Sequence, residues 1–185
     1  LYAVHFRQHW QRDIGRLNRI SPPHPVLNAA LLLTLAVGSF WGTRVAGGPD
    51  ASGYVSEAAL FARGELTAPL PPWVEGAPWT NPAFTAAPVG YRPAHETNRL
   101  APTYSPGLPL MMALFQLVAG PGAVFYVLPV VGALAVWATW LIGKSLAGAW
   151  TGVIAALLLA TSPAFLIMLV RPVSDVAATA LWALS

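Results

Sequence analysis

"SPGLPLMMALFQLVAG", residues 105–120, decides how this chain is laid out. Its apolar part, from Pro106 to Ala119, is fourteen residues long. A helix that crosses a bilayer needs about twenty residues, and pieces of 10–14 are more often interfacial or re-entrant. If this piece crossed, Lys144 would lie outside and Asp175 in the cytoplasm, opposite Asp50. If it stays on one side, Ala123–Ile142 runs inward and Lys144 is cytoplasmic. Ala149–Val170 then returns outward and presents "RPVSD", residues 171–175, beside the first loop. The short length of the piece and the tendency of basic residues to stay inside both favour the second layout.

The flanking sequence supports a membrane setting. The chain is 56% hydrophobic and 9% charged, against about 25% charged in ordinary soluble domains, so it has too little polar surface to solvate a globule. Its formal charge of +3 gives no argument for nucleic acid, because the placement of the basic residues matters more than their sum. Cysteine is absent, which removes disulfides, thiolate nucleophiles and Cys-type metal sites. The chain opens at Leu1 and closes at Ser185 inside the apolar run "VAATALWALS", which suggests a piece of a longer polypeptide.

Toward the N-terminus, residues 3–20 place Ala3, Phe6, Trp10, Ile14 and Leu17 at helical spacing, with Arg7, Arg12, Arg16 and Arg19 largely elsewhere on the wheel. Segment 1–25 therefore reads as a cytoplasmic amphipathic segment on an anionic membrane face, or as a basic flank that orients the next helix. "SPPHP" at 21–25 breaks it. Residues 26–45 are long enough to span, with Trp41 and Arg44 suited to the far interface, and are too long for a signal-peptide core. Residues 46–104 form a Pro-, Gly- and Trp-rich loop. Within it "ASGYVSEAALFARGEL" reads as a short amphipathic helix closed by Gly64, while the stretch 69–93 has no clear period.

Further spans are expected at 123–142 and 149–170, with internal Pro129 and Pro163, and another begins at 176. The expected fold is all-α. It is a polytopic transmembrane helical protein, residues 26–185, with a long extracytoplasmic first loop bearing short juxtamembrane helices and a short interfacial or re-entrant helix at 106–119.

In this layout Asp50 and Asp175 sit just past spans on the outer face, where carboxylates escape the roughly 2.5–3.5 kcal/mol cost of the bilayer centre. Each also reads as a plain helix N-cap, since Asp is preferred there. "HETNR" at 95–99 lacks the second His of a zinc-protease motif, and His24 and His95 are lone loop histidines. There is no P-loop and no dinucleotide fingerprint.

The order of "DASGYVSEAALFARGEL", "YSPGLPLMMALFQLVAG", a long helix ending "GKSLAG" and "SPAFLIMLVRPVSDVAATALW" resembles the membrane glycosyltransferases of fold C. It is most similar to the branch related to protein O-mannosyltransferases and lipid A aminoarabinose transferases, over about residues 26–185. The resemblance implies an inverting transferase that takes a sugar from a polyprenyl-phosphate donor to an extracytoplasmic acceptor, in a bacterial inner membrane. By that resemblance Asp50 is the catalytic base and Asp175 a second acid that orients the acceptor or assists a divalent metal. Tyr54 frames the site or simply packs, and Arg92, Arg99 and Arg171 are candidate phosphate partners, as guanidinium pairs well with phosphate oxygens, or interface anchors. Many relatives carry an acidic pair at the first position, whereas Asp50 is followed here by Ala51. Expected partners are the lipid-linked donor, membrane lipids and other membrane subunits, with no nucleic acid. The alternative is a non-catalytic membrane subunit packed against a larger complex. A transporter ranks third, because no internal repeat supports it.

Overall fold

A computed structural model describes residues 24–94 and 98–185. The amphipathic reading of residues 3–20, and with it nearly all of segment 1–25, lies outside the described residues, as does His95. The described chain is mostly helical. It divides into two compact units, one of residues up to Gly42 with Leu128–Val170 and Asp175–Ser185, the other of Thr43–Val127 with Arg171–Ser174.

The first unit is built of apolar helices joined through small residues. Helix α1, His24–Phe40, buries Leu27, Ala30, Thr34 and Gly38 along one face. It stops short of the expected Val45. The hydroxyl of fully buried Thr34 donates to the carbonyl of Ala30 at 2.9 Å, which satisfies it inside an apolar helix. A Cβ on Gly38 would come within 2.8 Å of the Pro129 ring, so glycine permits the close approach there.

Among the described residues one unbroken helix is long and apolar enough to cross a membrane. It runs from Pro121 to Ala147, its first turns 3₁₀ and the rest, Val127–Ala147, helix α5. Lys144 in its last turn complements the helix dipole and lies 4.7 Å over the Trp140 ring. After Gly148, helix α6 (Ala149–Ala160) folds back, and a Cβ on Gly152 would sit 2.5 Å from the Trp140 carbonyl oxygen.

The stretch 149–170, expected as one span, is two helices. Pro163 supplies no N–H and forces Ser162 into an extended conformation, φ −64 and ψ 124. Helix α7 (Pro163–Leu169) consequently leaves α6 at 62°. Helix α8 (Asp175–Leu184) packs on α7.

The second unit carries Asp50, Tyr54 and the three arginines singled out in the sequence. Helix α2, Pro49–Ala62, starts with Pro49 in its first turn, where the missing N–H costs nothing. It ends in a Schellman motif: Gly64 at φ +72 donates to Phe61, and Glu65 donates to Leu60. Gly64 thus closes the helix as its sequence position suggests.

Beyond it the chain is not purely helical. Strands β1 (Ala68–Pro69), β2 (Tyr91–Pro93) and β3 (Arg99–Pro102) form an antiparallel sheet in the order β1-β3-β2. A 3₁₀ turn at Pro72–Gly76 and helix α3, Pro82–Ala86, lie between β1 and β2. Each strand ends on a proline, which cannot donate to the ladder; hence the strands are short and no alternation shows in the sequence. The all-α expectation therefore holds only as "mostly helical".

Helix α4, Gly107–Ala119, is the deciding segment of the sequence. Thirteen residues make it about 20 Å long, against a hydrocarbon core of about 30 Å. It packs Leu108, Pro109, Met112 and Ala113 inward, next to α2. Leu110, Leu114, Leu117 and Val118 form an exposed stripe. The Arg44 guanidinium donates to the Tyr126 hydroxyl and lies 4.7 Å over that ring.

Candidate functional site

Helix periodicity puts Asp50, Gly53, Tyr54 and Glu57 of α2 on one face. Onto this face comes Tyr104, from the loop between β3 and α4. Its hydroxyl donates to Asp50 Oδ1 at 2.8 Å. Its ring fits because two residues have no side chain: a Cβ on Gly53 would meet the ring at 2.2 Å and one on Gly90 at 2.4 Å. Gly90 also has φ +91, a conformation that L side chains rarely adopt. The third wall is Tyr54, whose ring lies 4.9 Å from that of Tyr104, tilted by 49°. Tyr54 is in turn tethered, its hydroxyl donating to Ser174 Oγ at 2.9 Å.

This arrangement orients a carboxylate. The hydrogen bond to Asp50 pushes the Tyr104 phenol above its ordinary pKa, with burial and the charge of Asp50 adding to it. Tyr104 therefore stays a neutral donor. Asp50 itself is exposed. With Oδ1 held by Tyr104, Oδ2 makes no hydrogen bond among the described residues and is open to an incoming hydroxyl. Asp50 does not cap its helix. The cap position is Gly48, no side chain caps this end, and Asp50 lies inside the first turn, where a negative charge is favourable.

The other sequence-predicted residues fall into different places. Arg99 is spent on structure: its Nε and Nη2 donate to the hydroxyl and carbonyl of Thr67, each at 2.5 Å, fastening β3 beside the start of β1. Arg92 on β2 and Arg171 in the segment Arg171–Ser174 are exposed, and among the described residues neither makes a side-chain hydrogen bond or ion pair. Asp175 is the first residue of α8 and belongs to the first unit. It is exposed, its carbonyl accepts from Thr179, and it borders a cavity of about 270 Å³ lined by Ser162, Phe165 and Met168. Tyr54 and Asp50 are thus brought together with Tyr104, and the three arginines do not join them.

Sequence reasoning missed Tyr104, the two glycines that admit its ring, Ser174 and Glu57. Only Tyr104 carried a hint, as the aromatic residue beside "SPG". Glu57 is 2% exposed, and its Oε2 has no partner. Burial pushes its carboxyl above the ordinary value, so it is held toward the neutral form. Nearby Tyr91 donates to Ser56 Oγ at 2.9 Å. Its phenol is pushed up mainly by burial, with the charge of Glu57 adding to that.

Among the described residues no group of three or more His, Cys, Asp or Glu could hold a metal ion. Comparisons with protein-family models, curated proteins and solved structures find no match to this chain.

Proposed function

We propose that the chain is an inverting glycosyltransferase that moves a sugar from a polyprenyl-phosphate donor to a hydroxyl acceptor on the extracytoplasmic face of a bacterial inner membrane. The observation that carries this reading is the Asp50 carboxylate fixed through one oxygen by Tyr104. The acceptor hydroxyl gives its proton to Asp50 Oδ2 while its oxygen attacks the anomeric carbon from the face opposite the phosphate. The carbon–oxygen bond to phosphate breaks, and the polyprenyl phosphate leaves with that electron pair. A positioned base is worth typically 10²–10⁴ in rate. Exposed Arg92 and Arg171 are the guanidinium groups still available for the phosphate, since Arg99 is bound to Thr67.

The membrane setting is part of the proposal. It is supported by the long apolar helix Pro121–Ala147 and by large apolar side chains open on the first unit, among them Leu32, Leu146, Leu158 and Trp182. Contiguous exposed apolar surface marks contact with a partner or with lipid. The exposed stripe of α4 suits a helix lying in the interface.

The test is transfer of radiolabelled sugar from a panel of polyprenyl-phosphate donors in membrane vesicles. Asp50→Asn is expected to insert normally and lose transfer by about 10²-fold or more. Retained transfer would reject the assignment of the base.

A further inference from the structure

A cleft of about 440 Å³ lies between α2 and the three-stranded sheet, within the second unit. Its size is that of a small-ligand site. One wall is α2, which presents Ser52, Ser56, Ala59 and Arg63 at helical spacing. The facing wall includes Val89, Tyr91 and Leu100.

The hydroxyls on these walls are already engaged. Ser52 donates to the Ala46 carbonyl, Ser56 donates to the Gly53 carbonyl, and Tyr91 donates to Ser56. What remains for a ligand is mostly apolar surface, hydroxyl oxygens that can only accept, and one charged group, Arg63, at the far end from Asp50. The guanidinium has only an exposed contact with Glu65 at 3.6 Å, of a kind worth about 0–1 kcal/mol and readily displaced. A sugar would leave its hydroxyls unpaired against Leu60, Val89 and Leu100, which is costly.

We infer that this cleft binds an acidic amphiphile, with its hydrocarbon body along α2 and its carboxylate or phosphate on Arg63. Eleven residues separate Ser52 from Arg63, a helical rise of about 16 Å, which suits a medium-length chain. The Ser52 end lies next to the turn that carries Asp50. If the transferase reading holds, the amphiphile is the acceptor and offers its hydroxyl at that end. Binding itself does not depend on that reading.

The experiment uses the full chain in phosphatidylcholine nanodiscs, titrated with dansyl-undecanoate, and subtracts the fluorescence of empty nanodiscs. Saturable binding is expected, with Arg63→Gln and the methyl ester of the probe each weakening it about tenfold, the loss of one charge-assisted contact. Ala59→Trp fills the cleft and is expected to abolish binding. Val89→Asp, at an exposed position that should leave folding intact, is expected to weaken it through like-charge repulsion. Absence of saturable binding overturns the inference, as does an ester that binds as tightly as the acid. So does Val89→Asp protein that binds like the parent. Probe binding is read without sugar transfer, so failure of the catalytic reading and failure of the cleft are separable.

Discussion

Tyr104 donates to Asp50 Oδ1 at 2.8 Å across 54 residues of chain, and its ring is accommodated only because positions 53 and 90 are glycine. The candidate base is therefore oriented by a side chain whose own freedom has been removed by packing. An orienting group of this kind adds to catalysis without touching substrate.

Removing the phenol oxygen while keeping the ring isolates that role. Tyr104→Phe is expected to lower kcat for sugar transfer about 10–100-fold, the worth of a hydrogen bond to a charged group, with KM and thermal stability little changed. Steady-state kinetics beside a melting curve make the check. Unchanged kcat would assign Tyr104 to packing alone.

The fit of the ring can be tested from the glycine side. Gly53→Ala places a Cβ 2.2 Å from the Tyr104 ring, an overpacking expected to cost about 1–3 kcal/mol. Gly107→Ala, with nothing within 4 Å, is the control and is expected to be near neutral. Combining Gly53→Ala with Tyr104→Ala should recover most of the loss, since neighbouring sites couple. Denaturation of the three variants decides the point.

Glu57 predicts a pH dependence of stability. Its folded pKa lies above the ordinary 4.5, so between those values the native state binds more protons than the unfolded chain. The stability it contributes is complete below about pH 4.5 and is lost as pH rises through the folded value. Glu57→Gln is expected to remove that slope and to melt at a higher temperature than the parent at neutral pH. A parent and variant with parallel melting profiles from pH 4 to 8 would contradict this.

The proposed membrane setting makes the short α4 a test of topology. Cysteine at Leu66, exposed in the structure, and at Asp175 should be labelled by an impermeant maleimide from outside, with cysteine at Lys144 protected. Labelling at 144 with protection at 175 would mean that 106–119 crosses.

The turn back from α5 to α6 depends on a missing side chain. Gly152→Ala would bring a Cβ within 2.5 Å of the Trp140 carbonyl and 2.9 Å of the Lys144 nitrogen, at an expected cost of about 1–3 kcal/mol. Gly122→Ala, facing open space, should cost little. Thermal unfolding of both in nanodiscs is the measurement.

Local pattern was enough to find most helices, because apolar runs, prolines and glycines act on neighbouring residues. It marked the Gly64 stop and the shortness of 106–119. It overran α1 by five residues beyond Phe40 and took 149–170 as a single helix, since hydropathy does not register the extended residue that a proline demands before it. The sheet at 68–102 left no period, because prolines end its strands before alternation can build.

The site was legible only in part. Tyr104 meeting Asp50, Tyr54 reaching Ser174 across 120 residues, and Arg99 committed to Thr67 are pairings between distant positions, and nothing in the neighbourhood of either partner announces them. The burial of Glu57 was hidden for the same reason, since a helix face becomes interior only when another element covers it. Composition and spacing thus determined which segments are helical and apolar. Packing alone decided which carboxylate is held open to a ligand and which is sealed away, because hydrogen bonding and desolvation depend on neighbours that the chain brings together only on folding.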